Sequence, residues 1–498
     1  MAVRGISKAF KGVQALDNVT LEIAPGEIHC LAGENGSGKS TLIKVLSGVH
    51  APDSGEIVLG GASVSRITPN ESIAHGVQVI YQDFSVFPNL TVMENLAFTS
   101  ELSEKRLFVS WRRMRRVAEK ALAKVGVDID LDTTLDSLSV AQKQLIAIAR
   151  ALMNNAKLLI MDEPTTALTK REVERLFSLV TDLKAQGVAI LFVSHKLEEV
   201  FEISDRFTII RNGKHVITCL PAELDRKSFS AHMTGRDFEE TVFEPQGVGT
   251  TPVLELENFG VDGFFADVNL SIRPGEILGI TGLLGSGRTE LALAMFGLLQ
   301  GDTGEMRIHG RPVRLRGVRD AIRHGIGYVP EDRLTEGLAL ERPIGMNILI
   351  SEIDRFVSRF GTLKRKASAA EAQRWVDRLK IATPDPGNAA STLSGGNQQR
   401  VVLAKWLATE PEVLILNGPT VGVDIGSKHD IHEALRELAA TGLAVVIISD
   451  DIPEVLHNCN RVLVMNAGRV VHVVDPKTTG EVELAALMSA DEVKGAVR

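Results

Sequence analysis

At 498 residues, 44% of them hydrophobic and 24% charged, the chain is long enough for two or three packed domains. A net charge of −8 makes the chain a poor general nucleic-acid binder, which needs a basic face to neutralise phosphates. Cys30, Cys219 and Cys459 are too far apart for a zinc knuckle or a disulfide framework and fit a reducing compartment. Met1 to Gly5 opens without the apolar run of a secretory signal. No window of about 18 apolar residues is present, so a membrane channel, if the protein serves one, is expected from another chain.

In chain order, Phe10 is the first residue of interest, with base stacking and core packing both open to it. Ile28–Ala32 is a short apolar run of the kind that forms a strand buried on both faces. It leads into Gly33-Glu34-Asn35-Gly36-Ser37-Gly38-Lys39-Ser40-Thr41, a complete G-x-x-x-x-G-K-[ST] phosphate-binding loop, and Thr41–Leu46 then reads as helix. Consecutive N–H groups of Gly36 to Ser40 can wrap phosphates at a helix N-terminus. Lys39 is expected to reach the β- and γ-phosphates and Ser40 to ligate Mg²⁺. A glycine-rich turn alone is usually structural; the full pattern between strand and helix is a nucleotide site.

Gln82, in Val79-Ile80-Tyr81-Gln82-Asp83, is placed to contact the metal or the attacking water, although a lone glutamine is ordinarily just solvated. Arg112–Val125 has apolar residues at helical spacing, at Met114, Val117, Ala118, Ala121, Leu122 and Val125. Its basic start, Trp111-Arg112-Arg113-Met114-Arg115-Arg116, is read as a solvated face before a lipid or nucleic-acid site. Leu158-Leu159-Ile160-Met161 is a second buried strand ending in Asp162-Glu163-Pro164-Thr165. There Asp162 is expected to hold Mg²⁺ and Glu163 to polarise water, a step in which a general base contributes roughly 10²–10⁴-fold. His195 follows the apolar run Ala189–Val193 and could hold the γ-phosphate; a lone histidine is more often a cap or core residue.

The whole pattern then recurs. Gly282-Leu283-Leu284-Gly285-Ser286-Gly287-Arg288-Thr289-Glu290 lies 249 positions after the first loop (33 to 282), and Pro274-Gly275-Glu276-Ile277 repeats Pro25-Gly26-Glu27-Ile28 at that offset. Leu138-Ser139 returns as Leu393-Ser394, and Pro164-Thr165 as Pro419-Thr420, now 255 on (164 to 419). The difference of six residues is placed near Arg333–Leu338. The boundary is read as residues 244–251, a stretch rich in Pro, Gly and Thr, giving domains 1–243 and 252–498. Each is an α/β domain with a mostly parallel sheet and a more helical insert. In the second copy Arg288 replaces the loop lysine, Glu331 stands at the Gln82 position, Asn417 and Gly418 at the carboxylates, and Asp450 at His195.

The ordered set of phosphate loop, Gln82, Leu138-Ser139, Met161-Asp162-Glu163-Pro164-Thr165 and His195 resembles the ATP-binding subunit of ABC transporters. Leu393-Ser394-Gly395-Gly396-Asn397-Gln398-Gln399 is similar to the ABC signature. Two such domains, with Ser139-Val140-Ala141-Gln142 in the first and Gly287-Arg288-Thr289 in the second, resemble the ATPase of bacterial monosaccharide importers of the ribose, galactose and arabinose group. The likeness runs across nearly the whole chain.

That resemblance implies two tandem ABC-type P-loop domains and two ATP sites, each joining one domain's loop to the other's signature. One site would combine Lys39, Ser40, Gln82, Asp162, Glu163 and His195 with Ser394, Gly395 and Gly396, and hydrolyse ATP with Mg²⁺. The other would combine Arg288, Glu331, Asn417, Gly418 and Asp450 with Ser139, Val140 and Ala141, and be inert. Implied partners are polytopic permease subunits and, indirectly, an extracytoplasmic solute-binding protein, with one or two copies of this chain on the cytoplasmic face of the inner membrane. The cargo implied is a sugar or sugar alcohol. The rival reading is a soluble tandem ATPase acting on ribosomes; such proteins usually carry a long charged linker and two competent sites, and this chain has neither.

Overall fold

The computed structural model describes residues 1–10, 13–81, 86–103, 109–153, 155–165, 168, 170–194, 196–236 and 248–489. It divides into two compact units, Met1–Phe238 and Glu239–Arg498. Residues 244–247 of the expected boundary lie outside the described residues. Gly249 already donates its N–H to the carbonyl of Pro274 at 2.8 Å, within the second unit.

In the N-terminal unit a six-stranded sheet runs Lys214–Cys219, Arg206–Arg211, Ile28–Ala32, Ala189–Ser194, Leu158–Asp162 and Val77–Ile80. All neighbours are parallel except the first pair. Leu158, Leu159, Ile160 and Met161 are all at most 3% exposed, as a strand covered on both faces must be. The strands are in a register that pairs Ala32 with Ser194 and Asp162 with Val193. The phosphate loop, the carboxylate pair and Ser194 therefore emerge along one edge, the carboxyl ends where α/β sheets bind ligands. A four-stranded antiparallel sheet, ordered Val13–Glu22, Ala2–Phe10, Ser54–Leu59, Ala62–Val64, belongs to the same unit.

The helical part comprises Val92–Ser103, Trp111–Val125 and Val140–Met153. Met114, Ala118, Ala121, Leu122 and Val125 bury one stripe of the second helix. Arg112, Arg115 and Arg116 at its start are exposed, with Arg115 paired to Asp132 at 2.7 Å. Among the described residues no helix is long and apolar enough to cross a membrane.

The C-terminal unit repeats this plan, with a six-stranded sheet ordered Ile326–Val329, Val413–Asn417, Ala444–Ile448, Ile277–Thr281, Arg461–Asn466, Arg469–Val474. Its extra residues are distributed rather than gathered at one point. Asn95 closes a turn by accepting from the Phe87 N–H and donating to the Phe87, Leu90 and Thr91 carbonyls. Asn347 makes the same clamp on Ala339, Arg342 and Pro343, 252 positions on (95 to 347). Half of the six residues thus enter before this clamp, where Arg333–Gly337 forms one π-helical turn. The rest fall later: the helix Arg365–Arg378 aligns at 254 (Ala118 to Ala372, both buried) and the short 3₁₀ turns at 255 (Leu135 to Ala390). The expectation that all six lie near Arg333–Leu338 is corrected accordingly. Periodicity in the intervening loops is too weak to fix a register; the clamp fixes it.

Candidate nucleotide site

The phosphate loop is built as its sequence demands. Gly38 adopts φ +106°, and a Cβ there would lie 2.5 Å from the Ala15 carbonyl oxygen, so only glycine lets the loop turn into the helix Lys39–Leu46. Lys39 is 5% exposed and folds back over the loop, its ammonium donating to the carbonyls of Gly33 at 2.6 Å and Glu34 at 2.8 Å. Asn35, Gly36 and Ser40 are exposed and Thr41 half-buried. Ser37 Oγ is buried with no hydrogen-bond partner among the described residues.

Asp162 ends its strand half-buried. Burial and the neighbouring Glu163 push its carboxyl up to about 6, against the pull of Lys39 and Lys44. A carboxyl held this high gains from a cation, so the exposed Ser40 hydroxyl and Asp162 are a donor set that fits Mg²⁺. Glu163 sits at φ +47°, a left-handed conformation that a side chain adopts only at a cost. Its N–H donates to the Val193 carbonyl at 3.0 Å, which holds the strained turn in place.

Sequence reasoning missed Glu199. It is 6% exposed and accepts from Thr165 Oγ1 at 2.5 Å and Ser194 Oγ at 2.6 Å. It therefore ties the segment after Glu163 to the residue before His195. The residues involved are 34 positions apart (165 to 199), and nothing local in the sequence announces the contact. Gln82 and His195 themselves lie outside the described residues. Phe10 is 39% exposed, with His50 edge-on at 5.1 Å and the Lys8 ammonium over its ring at 5.5 Å, so it is not core.

In the C-terminal unit the cradle is kept and its chemistry is changed. Gly287 adopts φ +91°, close to Gly38, and Ser286 Oγ is again buried without a partner among the described residues. Arg288 reaches the Gly282 carbonyl at 2.7 Å as Lys39 does Gly33, but it also pairs with Asp450 at 3.3 Å. Asn417 is 4% exposed, and its side chain hydrogen-bonds the Tyr328 hydroxyl, which burial pushes up to about 12. Val79 holds the Tyr328 position in the first unit (79 to 328). Gly418 keeps the left-handed turn, at φ +57°, with its N–H on the Ile448 carbonyl at 2.8 Å. The buried link recurs, with Thr420 donating to Glu454 at 2.7 Å.

Ser394 stands at the N-cap position of the helix Gly395–Leu407, its Oγ accepting from the Asn397 amide at 2.9 Å, and Gly396 is buried against Ser427. In the first unit Val140 and Ala141 occupy the two glycine positions.

Two parallel-sheet units, each with a phosphate loop at the carboxyl edge, define a tandem P-loop nucleotide-binding protein. The model of the ABC transporter family matches residues 16–166 and 265–421, and the chain belongs to that family. Its two matched regions are ABC ATPase domains, which bind ATP. A "putative ribose/galactose/methyl galactoside import ATP-binding protein 3" from Burkholderia cenocepacia is 42% identical over 96% of this chain and 93% of its own. The ribose import ATP-binding protein RbsA of Bacillus subtilis is 40% identical, covering 94% and 95%. RbsA 2 of Rubrobacter xylanophilus is 43% identical, covering 94% and 90%. Among solved structures, a nucleotide-free ATP-binding cassette from an ABC transporter aligns with 44% of this chain and 90% of its own, at 28% identity and a TM-score of 0.40.

Proposed function

We propose that this chain is the ATP-hydrolysing subunit of a carbohydrate importer, with one competent and one inert ATP site. Import of a monosaccharide of the ribose or galactose kind follows from the relatives' names and their coverage of nearly the whole chain. Those relatives give no support to the ribosome reading. A separate permease supplies the channel, and the chain works peripherally on the cytoplasmic face of the membrane.

The observation that carries the asymmetry is one backbone shape with two contents. Glu163 and Gly418 hold the same left-handed turn on equivalent strands, but only the first has a carboxylate. In this reading Lys39 and the loop N–H groups bind the β- and γ-phosphates of ATP. Glu163 accepts a proton from the attacking water as it bonds to the γ-phosphorus; the bond to the β-phosphate oxygen breaks, leaving ADP and phosphate. Gln82 and His195 orient the water and the γ-phosphate. Phe10 stacks on the base, and Ser394, Gly395 and Gly396 of the second unit close the site. Ser40, Asp162 and Gln82 would hold Mg²⁺, which when bound neutralises charge on the phosphate oxygens.

Single-turnover ATP hydrolysis by Glu163→Gln tests this. A fall of at least about 10²-fold is expected. Appreciable residual hydrolysis would mean that the second site turns over and that the asymmetry is not functional.

A further inference from the structure

The π-helical turn Arg333–Gly337 has no counterpart among the described residues of the first unit, and it packs on the signature helix Gly395–Leu407. Asp332 caps its start by accepting from the Leu334 and Thr335 N–H groups. Lys405, from the signature helix, donates to the Gly337 carbonyl at its end, at 3.1 Å. A turn fixed at both ends presents its first side chain, Arg333, in one place.

That side chain spans two motifs. Arg333 Nη1 donates to the Val421 carbonyl at 2.8 Å and Nη2 to the Gly422 carbonyl at 3.1 Å, with Nε 3.5 Å from Gln398 Oε1. Val421 and Gly422 lie in the loop after Asn417; Gln398 is in the first turn of the signature helix. Glycines clear the space around the guanidinium. A Cβ on Gly395 would lie 2.9 Å from Nη2, and one on Gly422 would lie 3.2 Å from Nη1. The sequence of the first unit has Val140 and Ala167 at those two positions (140 to 395, 167 to 422). Arginine, turn and glycines thus come together in the second unit, and neither glycine is kept in the first.

The half-buried guanidinium spends its charge on neutral oxygens. Burial pulls it below its usual value, with only Asp332 opposing, so an ion pair is not its purpose. We propose that Arg333 is a positioning residue that locks the signature residues Ser394, Gly395 and Gly396 to the loop after Asn417. It thereby presents the signature N–H groups in a fixed orientation to the nucleotide on the other unit's phosphate loop. This rests on the composite-site reading given above. The signature's first glycine then has two roles, because Gly395 makes room for the arginine as well as for a phosphate.

The test is steady-state ATPase kinetics on the full chain, with Arg333→Ala, Ser394→Ala and the double variant. Arg333→Ala should raise KM for ATP about fivefold and lower kcat by a similar factor. On the Ser394→Ala background the same change should cost less than about twofold, because both act through one motif. A merely structural role would give effects that multiply. Arg333→Lys, which keeps the charge but cannot span two carbonyls, should show an intermediate KM and carries the test if the alanine variant does not fold. Wild-type KM and kcat in both Arg333 variants, or full multiplicativity with Ser394→Ala, would overturn the assignment. Glu163→Gln separates the two readings: if it is dead while Arg333→Ala is unaffected, the one-site reading stands and the positioning role falls; if it turns over, the second site hydrolyses ATP and the one-site reading itself falls.

Discussion

Arg288 and Asp450, which match Lys39 and His195 of the first unit in sequence, pair at 3.3 Å. Positive charge is retained at Arg288, which by itself favours nucleotide binding at the second loop. The pair qualifies that, because the Asp450 carboxylate draws on the same guanidinium. Asp450 is largely exposed, so the pair itself stabilises by no more than about 1 kcal/mol.

Asp450→Ala should therefore tighten ATP at the second loop by only about three- to fivefold, with no gain in hydrolysis. Equilibrium titration of a fluorescent ATP analogue into Glu163→Gln and Glu163→Gln/Asp450→Ala reads the difference. No tightening would show that the pair does not set occupancy, and tightening of about a hundredfold would show that Asp450 opposes nucleotide by far more than a surface pair is worth.

The left-handed turn at position 163 makes stability and activity pull apart. Glu163→Gly should abolish turnover and yet melt higher than Glu163→Gln, because glycine relieves about 1 kcal/mol of backbone strain. Conversely, Gly418→Glu should destabilise the second unit by about 1–3 kcal/mol. Its Cβ would lie 2.9 Å from Val421 Cγ2 and 3.1 Å from Glu331 Cγ, at φ +57°. Paired thermal melts check both signs; a Gly418→Glu protein as stable as wild type would remove the strain argument.

Glu199 should matter beyond its size. Replacing it with Ala leaves Thr165 and Ser194 hydroxyls buried without their acceptor, at about 1–3 kcal/mol. The turn after Glu163 and the segment leading to His195 then lose their common anchor. The expected result is a kcat about tenfold lower with KM for ATP changed less than about twofold. Equal loss in both parameters would indicate general loosening instead.

Acid stability should depend on Glu27. Burial opposes its charged form, but hydrogen bonds from His29, the Ala24 N–H and Arg206, with the His29 charge, hold the carboxyl at about 2. A group whose folded value lies below its unfolded one stabilises the fold fully above about pH 4.5. That contribution, on the order of 2 kcal/mol, is lost as pH falls from about 4.5 towards 2. Glu27→Gln should flatten this limb of a urea-midpoint against pH curve; an unchanged limb would assign acid sensitivity elsewhere.

What the sequence determined by itself is what it carries contiguously. Gly33 to Thr41, Met161 to Thr165 and Leu393 to Gln399 are runs in which strand, turn and chemistry follow one another, so period and residue type suffice to read them. Counting at a fixed offset then aligns Lys39 with Arg288 and Glu163 with Gly418, which makes the asymmetry between units legible without any fold. The tertiary structure alone decided what those substitutions touch. Arg288 meets Asp450 across 162 positions, Tyr328 meets Asn417 across 89, and Arg333 meets Val421 across 88. Such contacts are made where parallel strands bring their carboxyl ends to one edge, and no local pattern encodes which side chains will meet there. The extra residues show the same division: their number follows from counting, but their places follow from the clamp at Asn347 and the packing of one added turn on the signature helix.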